Sequence, residues 1–158
     1  MLVRLALERD EDVVVEMARA NIAETRPDLV FDEDNCRETF RCYLATAEPT
    51  IFVVEARDRQ VVGMLLASIL AHRAACGLFV CQEVMFVQPV WRGSRAAAKL
   101  MSHLVAWSQR LGATEIIGGN DNSFRSDRTA RFMSRFGFEQ VGCSMRRKFG
   151  NGEIQIGR

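Results

Sequence analysis

The chain has 158 residues, a mass of 17.8 kDa and a formal charge of +1 from 21 basic and 20 acidic side chains. This length predicts one domain over residues 1–158, and a chain of that mass buries roughly 70% of its unfolded surface, enough for a core without staples. With 48% apolar and 26% charged residues, the composition is that of an ordinary soluble globule and excludes disorder, collagen-like repeats and coiled coil.

Leu2 to Leu7 alternates around Arg4 and reads as a short first strand. Asp10 offers a helix cap, with Val13, Val14, Met17, Ala20 and Asn21 following at helical spacing until Pro27. A second helix opens at Asp32, carries Cys36, Phe40, Tyr43 and Leu44 on one face, and ends before Pro49. Ile51 to Glu55 and Val61 to Leu70 form a hairpin around Asp58-Arg59; apolar residues on both faces of the second strand give it a central position. After a connection over His72 to Gly77, Leu78 to Val87 is a third strand of this run, closed by Pro89.

Beyond Pro89 the period changes. Ala97, Leu100, Met101, Leu104, Val105, Ser108 and Leu111 mark one face of a long helix stopped by Gly112. Glu115 to Gly118 is a short buried strand. Ser126 or Asp127 caps a further helix with Ala130, Met133 and Phe136 on its apolar face, ending at Gly137. Phe138 to Lys148 reads as a last long strand, with Gly150 to Arg158 turning back beside it. The order β-α-α-β-β-β-α-β-α-β combines crossovers with hairpins, so the expected fold is α/β: a mixed sheet with helices on both faces.

Five cysteines (Cys36, Cys42, Cys76, Cys81 and Cys143) without a C-x-x-C pair predict neither a disulfide framework nor a metal site, and are expected reduced and mostly buried. Met1 to Glu8 is too short and too soon charged for a signal peptide. No apolar run approaches the ~20 residues that span a bilayer. The expected location is the cytoplasm. Only Lys99 and Lys148 are lysines; the arginine excess reads either as phosphate-binding forks or as genomic base composition.

The stretch from Val87 to Leu100 is the most informative. A strand ends, a Pro-containing turn follows, and small residues open a helix whose free N–H groups favour an anion such as a pyrophosphate. A plain strand-to-helix turn would use the same residues. Arg128, Arg131 and Arg135 recur at helical spacing, with Arg125 before them and Arg146-Arg147 on the last strand. They form either a solvated face or a stripe that reads phosphate or nucleic acid.

Pro89 to Leu100, with Val87-x-Pro89, an aromatic, Arg92-Gly93 and small residues before Leu100, resembles motif A of the GCN5-related N-acetyltransferase superfamily. Gly137-Phe138 after an amphipathic helix, with Ala130 seven residues before the glycine, resembles its motif B. The strand-helix order agrees, so the resemblance spans nearly the whole chain and implies the acyl-CoA N-acyltransferase fold. Trp107-Ser108-x-x-Leu111-Gly112-Ala113 and Arg128-Thr129 look like members encoded by phages and prophages.

The resemblance implies acetyl-CoA as co-substrate. Its pyrophosphate would lie on the backbone amides of Arg92, Gly93, Ser94, Arg95, Ala96 and Ala97, and its pantetheine would pair with the backbone of Met85, Phe86 and Val87. Asn122, in Asn120-Asp121-Asn122-Ser123, stands where the family often has a cofactor-contacting asparagine. Glu83, four residues before Val87, stands where members place a base for the acceptor ammonium, and desolvation there would raise its pKa. A solvent-facing strand charge is the plain alternative.

His72, in the preceding loop, could overhang the cleft, whereas His103 falls on the outer side of the long helix. Arg95 replaces a family glycine. Met133 replaces the family tyrosine that protonates the leaving thiolate, with Tyr43, Ser134 and Cys143 as substitutes lacking positional support. The loop with Arg26 and Phe31 would shape an acceptor pocket. The implied activity is transfer of acetyl to a primary amine, on a small molecule or peptide, by direct attack. A homodimer is allowed; membrane and nucleic acid are not expected partners. Two other readings stand: a CoA-binding protein with weak or no turnover, and a factor using its arginines on an acidic partner.

Overall fold

The computed structural model describes residues 1–120, 124–142 and 144–147. Its elements are β1 (Leu2–Leu5), α1 (Glu11–Thr25), α2 (Glu33–Thr46), β2 (Thr50–Glu55), β3 (Val61–Ala71), β4 (Leu78–Val87), α3 (Ala96–Arg110), β5 (Ile116–Ile117) and α4 (Ser126–Ser134). The sheet runs β1-β2-β3-β4-β5. The first three pairings are antiparallel and β4–β5 is parallel, across the α3 crossover. The mixed sheet expected from the sequence is present.

Strand alternation divides the core between two faces. Phe52, Val54, Leu65 and Val80 pack with Leu100, Met101 and Leu104 of α3 and Met133 of α4. Ile51, Val53, Met64 and Phe86 face Val14 and Met17 of α1 and Phe40 and Tyr43 of α2. Helices therefore cover both sides; β2 is buried almost throughout, and β3 from Val61 to Ser68, while its end at Ile69 to Ala71 is exposed.

Several details differ from the sequence reading. Asp10 stands at the N-cap of α1 but does not cap it. Its carboxylate turns back to accept from the Arg4 guanidinium at 2.6 Å and the Leu7 N–H at 2.8 Å, because a buried acid gains more from a cation than from one amide. Asp32 does cap α2, accepting from the Asn35 N–H at 2.9 Å. The N-cap of α4 is Arg125, not Ser126 or Asp127, and the buried face of that helix centres on Met133 with Phe132 and Phe136 beside it, while Ala130 is exposed.

His103 is not on an outer face: its ring meets Phe52 edge-on at 4.8 Å between centroids, and burial pulls its pKa down. Cys42 and Cys76 are exposed and Cys36 and Cys81 half-buried, because they lie on the outer turns of α2, in the β3–β4 connection and near the sheet edge. Cys143 lies outside the described residues.

No strand is formed by the described residues between Phe138 and Arg147. Val141 and Met145, which alternation would aim into a sheet, are 97% and 92% exposed. Lys148 and the segment from Gly150 to Arg158 lie outside the described residues. Among the described residues no helix is long and apolar enough to cross a membrane, and no group of three or more His, Cys, Asp or Glu could hold a metal ion.

Candidate active site

β4 pairs with β3 along its length but meets β5 only at Val80–Ile116 and Cys81–Ile117. From Gln82 to Val87 its other edge has no strand partner among the described residues. The β3–β4 register explains the parting: Leu66 faces Val84 and Ala67 faces Gln82, leaving Glu83 as the extra residue of a bulge. A bulge bends its strand and increases local twist, turning β4 away from β5. The resulting cleft, about 300 Å³, is bounded by Asn21 and Glu24 of α1, Gln82 to Val87 of β4, Arg92 and Ala97 at the start of α3, Asn120, and Arg125, Arg128 and Met133 around α4.

Of the three strand residues that the resemblance assigns to pantetheine, two face this edge. A Cβ added to Gly63 would lie 2.9 Å from the Phe86 carbonyl oxygen, so Phe86 directs its carbonyl at β3. Alternation then aims the Met85 and Val87 peptide groups at the open side. The Val87 carbonyl is already engaged: Arg92 Nε donates to it at 3.0 Å. Arg92 also grips Glu24, with Nη1 on Oε1 at 2.7 Å and Nη2 on Oε2, and its guanidinium lies 5.3 Å from the centre of the Phe86 ring. These hydrogen bonds hold the Glu24 carboxyl below its ordinary pKa.

β4 leads into a 3-10 turn at Pro89–Trp91 and then α3. Gly93 has φ +92° and needs its glycine. Arg95 has φ −80° and ψ 0°, open to any residue, so replacing the family glycine brings no backbone strain, and its side chain is exposed. The N–H of Arg92 donates to Pro89 O, that of Ser94 to Trp91 O and that of Ala96 to Ser94 Oγ. The N–H groups of Gly93, Arg95 and Ala97 have no partner among the described residues, so the turn offers an anion fewer donors than expected, but real ones.

Glu83 is solvent-exposed. Its Oε1 accepts from the Ser68 hydroxyl at 2.5 Å. His72 does not overhang the cleft: its Nε2 lies 2.9 Å from Thr114 Oγ1, at the closed end where β4 begins. Tyr43 is buried and donates its hydroxyl to Ala6 O at 2.7 Å; burial raises its pKa, and it does not line the cleft. Ser134 is exposed and bonded to Arg131 O. Met133 is buried in the core at the cleft wall.

Asn122 lies outside the described residues; Asn120 is in the cleft wall with its side-chain amide donating to Phe124 O. Of the arginine stripe only Arg125 and Arg128 reach the cleft. Sequence reasoning missed Ser68, Glu24 and the side chain of Arg92. Glu24 carried a signal, since Asn21 and Glu24 stand four and seven residues after buried Met17 on one helix face. A second cavity, about 400 Å³, surrounds Arg4, Asp10 and Glu55; the charges at its centre pair with each other.

The described acetyltransferase (GNAT) domain family matches the chain over residues 47–140. No curated protein matches it. Among solved structures, a transcriptional regulator from Bacillus halodurans is similar with TM-score 0.78 and 18% identity, covering 94% of this chain and 99% of that one. An aminoglycoside 6′-N-acetyltransferase from Acinetobacter haemolyticus gives TM-score 0.74 at 18% identity, covering 94% and 98%. A predicted acetyltransferase from Clostridium acetobutylicum, solved with acetyl-CoA, gives 0.75 at 14%, covering 93% and 95%. These identities speak for the fold alone. With the family match extending over more than half the sequence and containing the split strand, the bulge and the α3 turn, the chain belongs to the GNAT acetyltransferase family and is an acyltransferase.

Proposed function

We propose that the cleft binds acetyl-CoA and that the acetyl group passes directly to a primary amine, on a small molecule or a peptide, with both substrates bound. The observation that carries this reading is the β4 edge from Gln82 to Val87, which has no strand partner among the described residues and runs straight into the N-terminal turn of α3. Strand-like pairing and free helix N–H groups suit an extended amide chain ending in a diphosphate.

Met85 offers its N–H and carbonyl to the pantetheine and Val87 its N–H, the Val87 carbonyl being held by Arg92. Phe86 supports the edge from the β3 side. Gly93, Arg95 and Ala97 supply free N–H groups, and Ser94 and Ala96 shape the turn. Asn122 belongs to the same proposal by resemblance. Bound there, acetyl-CoA supplies an activated acyl group and a thiol leaving group. The Met85 N–H is the donor available to polarise the acyl oxygen, and Glu83 takes the proton of the incoming ammonium. No described side chain serves as acid toward the thiol, whose ordinary pKa of about 8.5 lets solvent do so.

The whole chain, residues 1–158, works as one domain in this reading, with the cytoplasm as the proposed location, where acetyl-CoA is at hand. The likeness to phage-encoded members suggests a mobile-element setting. A second reading, a CoA-binding protein with weak turnover, is favoured by Met133, a thioether where a proton donor would stand. Thiol release from acetyl-CoA over a panel of polyamine, aminoglycoside, amino-acid and peptide amines separates the two. Amine-dependent release that falls about a hundredfold in Glu83→Gln is expected; equal rates in both proteins would remove Glu83 from its role.

A further inference from the structure

We infer that Ser68 is a positioning residue for Glu83, fixing the carboxylate that the proposed reaction uses as its base; the inference rests on that reading of Glu83. Glu83 is the extra residue of the β4 bulge, exposed, on a long side chain that packing does not hold. Ser68, on β3, is buried at 9% exposure, and its hydroxyl donates to Glu83 Oε1 at 2.5 Å. Glu83 Oε2 has no partner among the described residues. One oxygen is thus anchored to the sheet while the other is left for a proton, and the anchor comes from a central strand rather than a loop.

The principal test needs no acceptor. In protein labelled with ¹³C and ¹⁵N, three-bond couplings from Glu83 Cγ to its backbone nitrogen and carbonyl carbon read the χ1 population. The parent is expected in one staggered well, Ser68→Ala averaged over wells, and Ser68→Thr restored; amide shifts away from β3 and β4 report that each variant is folded. In the thiol-release assay Ser68→Ala lowers kcat about tenfold with the KM for acetyl-CoA unchanged, and Ser68→Thr recovers it. Averaged couplings in the parent, or couplings or kcat unaltered by Ser68→Ala, overturn the inference. The two ideas fail differently. Undiminished release in Glu83→Gln removes the base, whereas an impaired Glu83→Gln beside an unaltered Ser68→Ala removes only the role of Ser68.

Discussion

At the scale of single residues, Gly63 decides how closely β3 and β4 can lie. A Cβ there would stand 2.9 Å from the Phe86 carbonyl oxygen, 3.0 Å from Val87 Cγ2 and 3.1 Å from Val54 Cγ1. A backbone oxygen in a central ladder cannot yield, so Gly63→Ala should cost about 2 kcal/mol in urea unfolding. An unchanged midpoint would refute the clash. Nothing in the sequence marked this glycine, because closeness between strands is a property of pairing. The same limit applied to Arg92. Its place in the turn was legible from the motif, but its guanidinium reaches Glu24, 68 positions away, and no local pattern carries such a contact. Met133 was the reverse: both its thioether and its place on the apolar face of α4 were legible in the sequence, and the structure buries it.

Among the elements, strands β2 to β4 were legible because β-branched and apolar runs bounded by turn residues have few alternatives. The expected strand after α4 was not formed among the described residues, since alternation states a preference and a ladder needs a neighbour. The bulge at Glu83 was likewise invisible, being a mismatch between two strands rather than a feature of one.

The joint between β1, the turn before α1 and β2 is made by charge. Arg4 donates to Asp10 at 2.6 Å and to Glu55 at 2.8 Å, with the Asp10 side chain only 5% exposed. Burial alone would push the Asp10 carboxyl up, but the Arg4 hydrogen bonds and the Leu7 N–H prevail and hold it below its ordinary value. Its stabilising contribution is therefore complete above about pH 4, the unfolded value, and is lost as pH falls through the lowered folded value. Asp10→Asn should cost about 2 kcal/mol at pH 7. The gap from the parent should narrow between pH 5 and pH 2 in urea titrations; a gap independent of pH would place the loss elsewhere.

For the molecule as a whole, the cleft lies between elements contributed by α1, β4, α3 and α4, so a ligand seated there binds the folded chain and not the unfolded one. Acetyl-CoA at a hundred times its dissociation constant should add about 2.7 kcal/mol, raising the melting temperature by about 5–10 °C. No shift at millimolar ligand would remove the cofactor reading while leaving the fold untouched.

The guanidinium of Arg92 on Val87 has one more consequence. From Gln82 to Val87, where β4 has no strand partner among the described residues, it exposes the kind of peptide row that recruits foreign strands at the margin of any sheet. Here that row ends beneath a cation clamped to a carboxylate, an obstacle that an invading polypeptide would have to dislodge. Because Arg92 engages only Val87 O along this row, the peptide groups from Gln82 to Met85 keep the gap while its far end is closed to a second copy of the chain.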